Sequence, residues 1–85
     1  MELVLVEWVD SHSSPGGWLF IDDIIDREDN LYCRSVGWIV KETEELITLV
    51  PHIAGEVNGN LRLSGRGDLT IPCIAITKMV VLRKK

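Results

Sequence analysis

Residues 2–9 alternate without interruption: Leu3, Leu5, Glu7 and Val9 fall on one face and Val4, Val6 and Trp8 on the other, the second face being β-branched and aromatic. A period of two predicts a strand. Ser14-Pro15-Gly16-Gly17 breaks the pattern, and the run Leu19-Phe20-Ile21-Asp22-Asp23-Ile24-Ile25-Asp26 follows with a different period. Phe20, Ile21, Ile24 and Ile25 stand at i, i+1, i+4 and i+5, one apolar stripe of a short helix whose acids face water. Asp29-Asn30 then has the composition of a turn.

Alternation returns over residues 31–41, with Tyr32, Arg34, Val36, Trp38 and Val40 on one face and Cys33, Ser35, Gly37 and Ile39 on the other. Glu42-Thr43-Glu44-Glu45 is a connection of hairpin length, so residues 46–53 are expected to pair antiparallel with the strand before it. Gly37 within a strand marks bending, a bulge or close backbone approach. Residues 54–68 carry four glycines and two asparagines, and are expected to form a hairpin with its turn at Asn58-Gly59 and a short strand over residues 60–64. Leu69-Thr70-Ile71-Pro72 is a strand stopped by a proline without an N–H to give to a ladder. Residues 73–76 fit one helical turn, and residues 77–83 resume as strand.

Five strands, one early helix and a final pair of strands split by a single turn predict a mainly β chain: a small, five-stranded, strongly bent antiparallel barrel with one short helix after the first strand. The ending Leu69-Thr70-Ile71-Pro72-Cys73-Ile74-Ala75-Ile76-Thr77-Lys78-Met79-Val80-Val81-Leu82 resembles the close of Sm-like and SH3-like barrels, where a strand, a turn and the last strand complete the sheet. A second resemblance spans nearly the whole chain. Trp8-Val9-Asp10-Ser11, Gly17-Trp18, Val36-Gly37-Trp38-Ile39-Val40-Lys41-Glu42, Ile71-Pro72 and Ile74 look like a family of small bacteriophage proteins of uncharacterised function. That resemblance implies a phage origin and action inside the host cell, but brings no reaction and no catalytic residue with it. The chain departs from the family's pattern at His12 and in the glycine-rich residues 58–67.

The 85 residues allow one domain, residues 1–85. A chain this short buries about 60 to 65% of its unfolded surface, and its core contributes roughly 3 to 5 kcal/mol without a staple or a partner, so self-association is expected. Cys33 and Cys73 are the only cysteines, and the N-terminal apolar run, Leu3 to Val6, is too short for a signal peptide, which together fit a reduced, cytoplasmic setting. No apolar stretch approaches the roughly 20 residues of a membrane span. The net charge is -4, with Asp22, Asp23, Asp26, Glu28 and Asp29 clustered, a balance that disfavours coating of a phosphate backbone. Arg62 and Arg66 in one loop and Arg83-Lys84-Lys85 at the end are the basic exceptions, and leave room for a local anion site.

The richest recognition chemistry lies in residues 8–18, Trp-Val-Asp-Ser-His-Ser-Ser-Pro-Gly-Gly-Trp. Trp8 and Trp18 offer indole faces for a flat ring, Asp10 accepts from amines or hydroxyls, and Ser11 donates. The same residues also have plain structural roles: Trp8 as core, Asp10-Ser11 as a turn, Trp18 as a staple at the helix entry. Arg62 and Arg66, beside Gly65 and Gly67, have the donors of an anion clamp, or else form a solvated turn. Asp10, Ser11 and His12 do not make a hydrolytic triad, because consecutive extended residues point to opposite sides. His12, Cys33, His52 and Cys73 lack the close pairs of a zinc site, and the acids of residues 22–29 lack calcium-loop spacing.

No nucleophile can be placed beside a base, so the chain is expected to be a non-enzyme without metal or cofactor. The expected function is that of a phage-encoded oligomeric binding protein, with Trp8, Asp10, Ser11, Trp18, Arg62 and Arg66 holding a nucleotide-like molecule. In that setting, binding without turnover would sequester a host defence signal. Two alternatives stand beside it: a protein-interaction module covering a basic partner with its acidic face, and Sm-like RNA binding at a local basic rim.

Overall fold

The computed structural model describes residues 1–11, 16–27, 30–55 and 62–84. In chain order the elements are β1 (Leu3–Asp10), α1 (Ile21–Asp26), β2 (Leu31–Glu42), β3 (Leu46–Val50), β4 (His52–Ala54), β5 (Ser64–Arg66), β6 (Leu69–Pro72), a single 3₁₀ turn η1 (Cys73–Ala75) and β7 (Ile76–Val81). Five strands form one antiparallel sheet in the order β6-β3-β2-β1-β7, while β4 and β5 pair apart from it. The expected strand over residues 46–53 is cut at Pro51, which has no N–H to continue the ladder. The glycine-rich hairpin forms with its second strand at Ser64–Arg66, later than expected, and the Asn58-Gly59 turn lies outside the described residues.

Val4 and Val6 of β1 sit opposite Gly37 and Ser35 of β2, and Ile47 and Leu49 of β3 opposite Ile71 and Leu69 of β6. Side chains directly across a ladder share a face, so these pairs define the inner face of the sheet. Val4, Val6, Ile47, Leu49 and Ile71 are fully buried there, with Trp8, Ile39, Leu69, Cys73, Ala75 and Ile76 packed around them. The face predicted for β1 from its alternation is the one that enters the core. Val50 is buried on the other side, against β5, where Gly65 leaves room for its side chain.

The connection from β6 to β7 decides the shape of the sheet. Pro72 lies level with the β2–β3 turn, whereas Ile76 pairs with Trp8, itself opposite Cys33 at the far end of β2. In a flat sheet those positions would be separated by four strand spacings and most of the length of β2, on the order of 35 Å or more. Four peptide links reach about 15 Å at most. The sheet must therefore coil until its two edges approach each other at η1. Two features of β2 accommodate the bend: Gly37, whose missing Cβ would sit 3.0 Å from the Val50 carbonyl oxygen and 3.1 Å from Leu49 Cβ, and an irregularity in the ladder to β3 between Ile39 and Lys41. Hydrogen bonds hold the crossover in place. Thr43 Oγ1 accepts from the N–H groups of Glu45 and Leu46, and the Glu45 carbonyl accepts from Cys73 N at 2.8 Å. The edges β6 and β7 do not pair with each other, so the expected five-stranded barrel is present as a coiled, open antiparallel sheet with a separate two-stranded hairpin.

The molecule is long for its size, 58 × 28 × 25 Å with a radius of gyration of 17.3 Å, against about 12 Å for a compact chain of this length. Helix α1 contributes to that extension. None of the principal contacts between elements involves it, its N-cap has no side-chain hydrogen bond, and Phe20, Ile21 and Ile25 are exposed, with Ile24 half-buried. The apolar stripe of the helix is thus largely open to water.

Gly37→Ala should destabilise the protein by about 1 to 3 kcal/mol, because the β3 backbone and Leu49 Cβ must give way to the new methyl. Gly16→Ala, where a Cβ meets nothing within 4 Å, should change stability by less than about 0.5 kcal/mol. Urea unfolding of the two variants beside the parent checks this contrast.

Candidate functional site

Strands β1 and β2 form the longest ladder, from Leu3↔Trp38 to Asp10↔Leu31. Near its Asp10 end, β7 joins on the other side of β1 with an irregularity between Glu7 and Trp8, where Lys78 pairs with Glu7 and Ile76 with Trp8. Thr77 is the extra residue, and its hydroxyl donates to the Glu7 carbonyl at 3.1 Å. An irregularity of this kind bends an edge strand and re-aims its side chains. The result is an open cleft of about 480 Å³ lined by Glu7, Trp8, Tyr32, Cys33, Arg34 and Thr77.

The indole of Trp8 is half-buried on the inner face, and its Nε1–H donates to Ser35 Oγ at 3.0 Å. This satisfies the polar edge of the ring and fixes its plane. Tyr32 is 73% exposed. Arg34 Nε donates to Glu7 Oε1 at 3.2 Å in an exposed ion pair, a contact worth at most about 1 kcal/mol for stability. It orients the guanidinium, and among the described residues no other Arg34 donor has a partner. Cys33 is half-buried, with its thiol 3.7 Å from the Leu31 carbonyl oxygen. By register Tyr32, Arg34 and Glu7 share the outer face of the ladder, whereas Trp8 and Cys33 belong to the inner one, so the cleft offers one aromatic ring, a carboxylate, a hydroxyl and a guanidinium with donors to spare, which suits a flat ring bearing negative charge.

The residues singled out in the sequence are distributed between two places and an exposed arm. Trp8 lies beside this cleft with its indole on the inner face, and Asp10, on the same face of β1 two residues on, accepts from the N–H of the next residue, Ser11, at 2.8 Å; the turn expected at Asp10-Ser11 would run into residues outside those described. Trp18 is 102% exposed and staples nothing. Arg66, opposite His52 in the β4–β5 hairpin, lines a different cleft with His52, Ile53, Ala54, Ser64 and Gly65, and Arg62 is exposed just before β5. The clefts of Trp8 and Arg66 have no lining residue in common. His12 lies outside the described residues, and among those described no three His, Cys, Asp or Glu side chains gather as metal ligands. No helix among them is long and apolar enough to cross a membrane.

Tyr32, Arg34, Glu7 and Thr77 were not marked out by the sequence. Their signal was the register: Tyr32 and Arg34 flank Cys33, the partner of Trp8, and a hairpin pairing carried inward from Asp10 and Leu31 would have found them.

Ser35→Ala removes the acceptor of the Trp8 indole N–H and should destabilise by about 1 to 2 kcal/mol, since a part-buried donor is left unpaired. Chemical unfolding monitored by circular dichroism measures it, and an unchanged midpoint would show that the indole finds another acceptor. No protein-family model matches the chain, and neither does any curated protein or solved structure.

Proposed function

We propose that this protein is a non-catalytic binding protein whose β1–β2–β7 cleft holds a small molecule combining a flat ring with negative charge, a nucleotide or a compound like one. One observation carries the proposal: Tyr32 and Arg34 stand side by side on the outer face of the ladder and, with Glu7 and Thr77, line a cleft of about 480 Å³, a size within the range of ordinary small-molecule sites. Tyr32 stacks on the ring, Arg34 grips the anion and Thr77 contributes a short-range polar contact, while Trp8, its indole held to Ser35 on the inner face, braces the ladder beneath them. Asp10 and Ser11, at the end of β1, lie next along the strand and are assigned to the polar part of the ligand. Arg66 belongs to the other cleft and, with Arg62 exposed just before β5, is proposed as a second, independent anion contact.

Binding without turnover fits the site, because no nucleophile in it is paired with a general base. Given the phage resemblance, such binding amounts to sequestration of a host signal. The finer fold reading, an open relative of the Sm-like and SH3-like barrels, is supported by the single-turn crossover between the two edges of the sheet.

The test is a thermal-shift and calorimetric titration against a panel of mono-, di- and cyclic nucleotides. A true ligand at a hundredfold excess over its Kd stabilises by about 2.7 kcal/mol, a rise in Tm on the order of 10 °C for a domain of this size. Tyr32→Ala and Arg34→Ala, both at exposed positions, should keep the fold and each weaken binding roughly tenfold or more. A panel giving neither shift nor heat, or binding indifferent to both substitutions, would overturn the proposal.

A further inference from the structure

The chain exposes 7362 Å², whereas a folded monomer of 9.6 kDa exposes about 5,100 Å². The excess is on the order of 2,300 Å², and a standard interface takes about 800 Å² from each partner. Two apolar surfaces account for much of what is open. One is the arm over residues 18–26, where Trp18, Leu19, Phe20, Ile21 and Ile25 are exposed. A six-residue helix without a side-chain cap does not hold itself in water, so this arm requires a surface to lie on.

The other is the free edge of β7. Met79, Val80, Val81 and Leu82 form a continuous apolar run, each 37 to 45% exposed, because β7 pairs with β1 on one side only. Met79 and Val81 stand opposite Val6 and Val4 and so belong to the inner face, left uncovered at this edge. An open, apolar edge strand invites pairing or covering by another chain.

Charge selects the match between these surfaces. The arm carries Asp22, Asp23 and Asp26, so packing arm against arm would set like charges together. The β7 edge is flanked by Lys78 on one side and Arg83 and Lys84 on the other. We propose that the arm of one copy of this chain seats on the β7 edge of a second copy, with its isoleucines and Trp18 against Met79 to Leu82 and its aspartates against Lys78, Arg83 and Lys84. The contact is head-to-tail, so each copy offers one arm and one edge, and repeated docking closes into a ring or extends into a filament. The docking does not depend on the ligand cleft, since none of the cleft residues belongs to the arm or to the run from Met79 to Leu82.

Sedimentation velocity and native mass measurement on the purified chain test the contact, with tryptophan emission followed on dilution. The parent should be oligomeric at micromolar concentration and, on dilution, dissociate with a red shift as Trp18 enters water. Two variants altered only at exposed positions, Ile21→Asp with Ile25→Asp on the arm and Lys78→Glu with Arg83→Glu and Lys84→Glu at the edge, should each keep the parent's circular dichroism. Each should weaken self-association by about a hundredfold or more. Mixed together they should form a one-to-one heterodimer, because the first keeps a sound edge and the second a sound arm. A monomeric parent at 100 µM, variants that assemble as the parent does, or a mixture that stays monomeric would each overturn the proposal, a monomeric parent pointing to an arm folded back on its own sheet and an edge variant that still assembles to a symmetric arm-to-arm contact.

Discussion

Three residues, Cys73 to Ala75, connect opposite edges of a five-stranded sheet, and the remainder of the structure follows from that short tether. A flat sheet cannot be spanned by it, so the sheet coils, and β2, the longest strand, bends through Gly37 and the irregularity before Lys41. Coiling gathers Val4, Val6, Ile47, Leu49 and Ile71 into one small core drawn from β1, β3 and β6. It also explains why Thr43 matters despite its exposure: its hydroxyl organises the turn whose Glu45 carbonyl receives the Cys73 N–H. A network of a few hydrogen bonds worth about 1 kcal/mol each thus fixes where the tether begins.

The tether brings the edges near each other without pairing them, and two kinds of exposed surface result. Around Tyr32 and Arg34 the exposure is mixed, with an aromatic ring beside a carboxylate, a guanidinium and a hydroxyl, and the chemistry is that of a small polar ligand. On the arm and along β7 the exposure is largely apolar, with three aspartates on the arm and Lys78, Arg83 and Lys84 at the ends of the β7 run. Small ligands are oriented by a few well-placed polar groups, whereas protein surfaces associate through apolar area with a charged rim. The two surfaces therefore call for different occupants even though both arise from the same incomplete closure.

Elements with a clear period were legible in the sequence. Residues 2–9, 31–41 and 69–83 gave their strands and the intervening single turn to within a residue or two, because period-two alternation and Pro72 act locally. Residues 46–53 read as one strand by their apolar types, whereas Pro51, with no N–H for the ladder, splits them into β3 and β4. The helix was placed within two residues, but its burial was not foreseeable: an apolar stripe states that a partner is wanted, not whether the same chain provides it. Tyr32 and Arg34 escaped notice for a related reason. They meet Glu7 and Trp8 only through a register set across some twenty intervening residues, and nothing local in Leu31-Tyr32-Cys33-Arg34 encodes that meeting.

Residues 8–18 read as one recognition segment in the sequence, yet the fold divides them. Trp8 is held in the β1 ladder, half-buried on the inner face with its N–H bonded to Ser35. The ladder ends at Asp10, whose carboxylate accepts from the Ser11 N–H, and Gly17, at φ 124°, redirects the backbone immediately before Trp18. An L residue adopts that conformation at a cost, so glycine there releases the chain from the strand direction and sends Trp18 away from the core. Two indoles ten positions apart thereby acquire opposite characters, one ordered by the sheet it belongs to and the other left for a surface that its own chain does not supply.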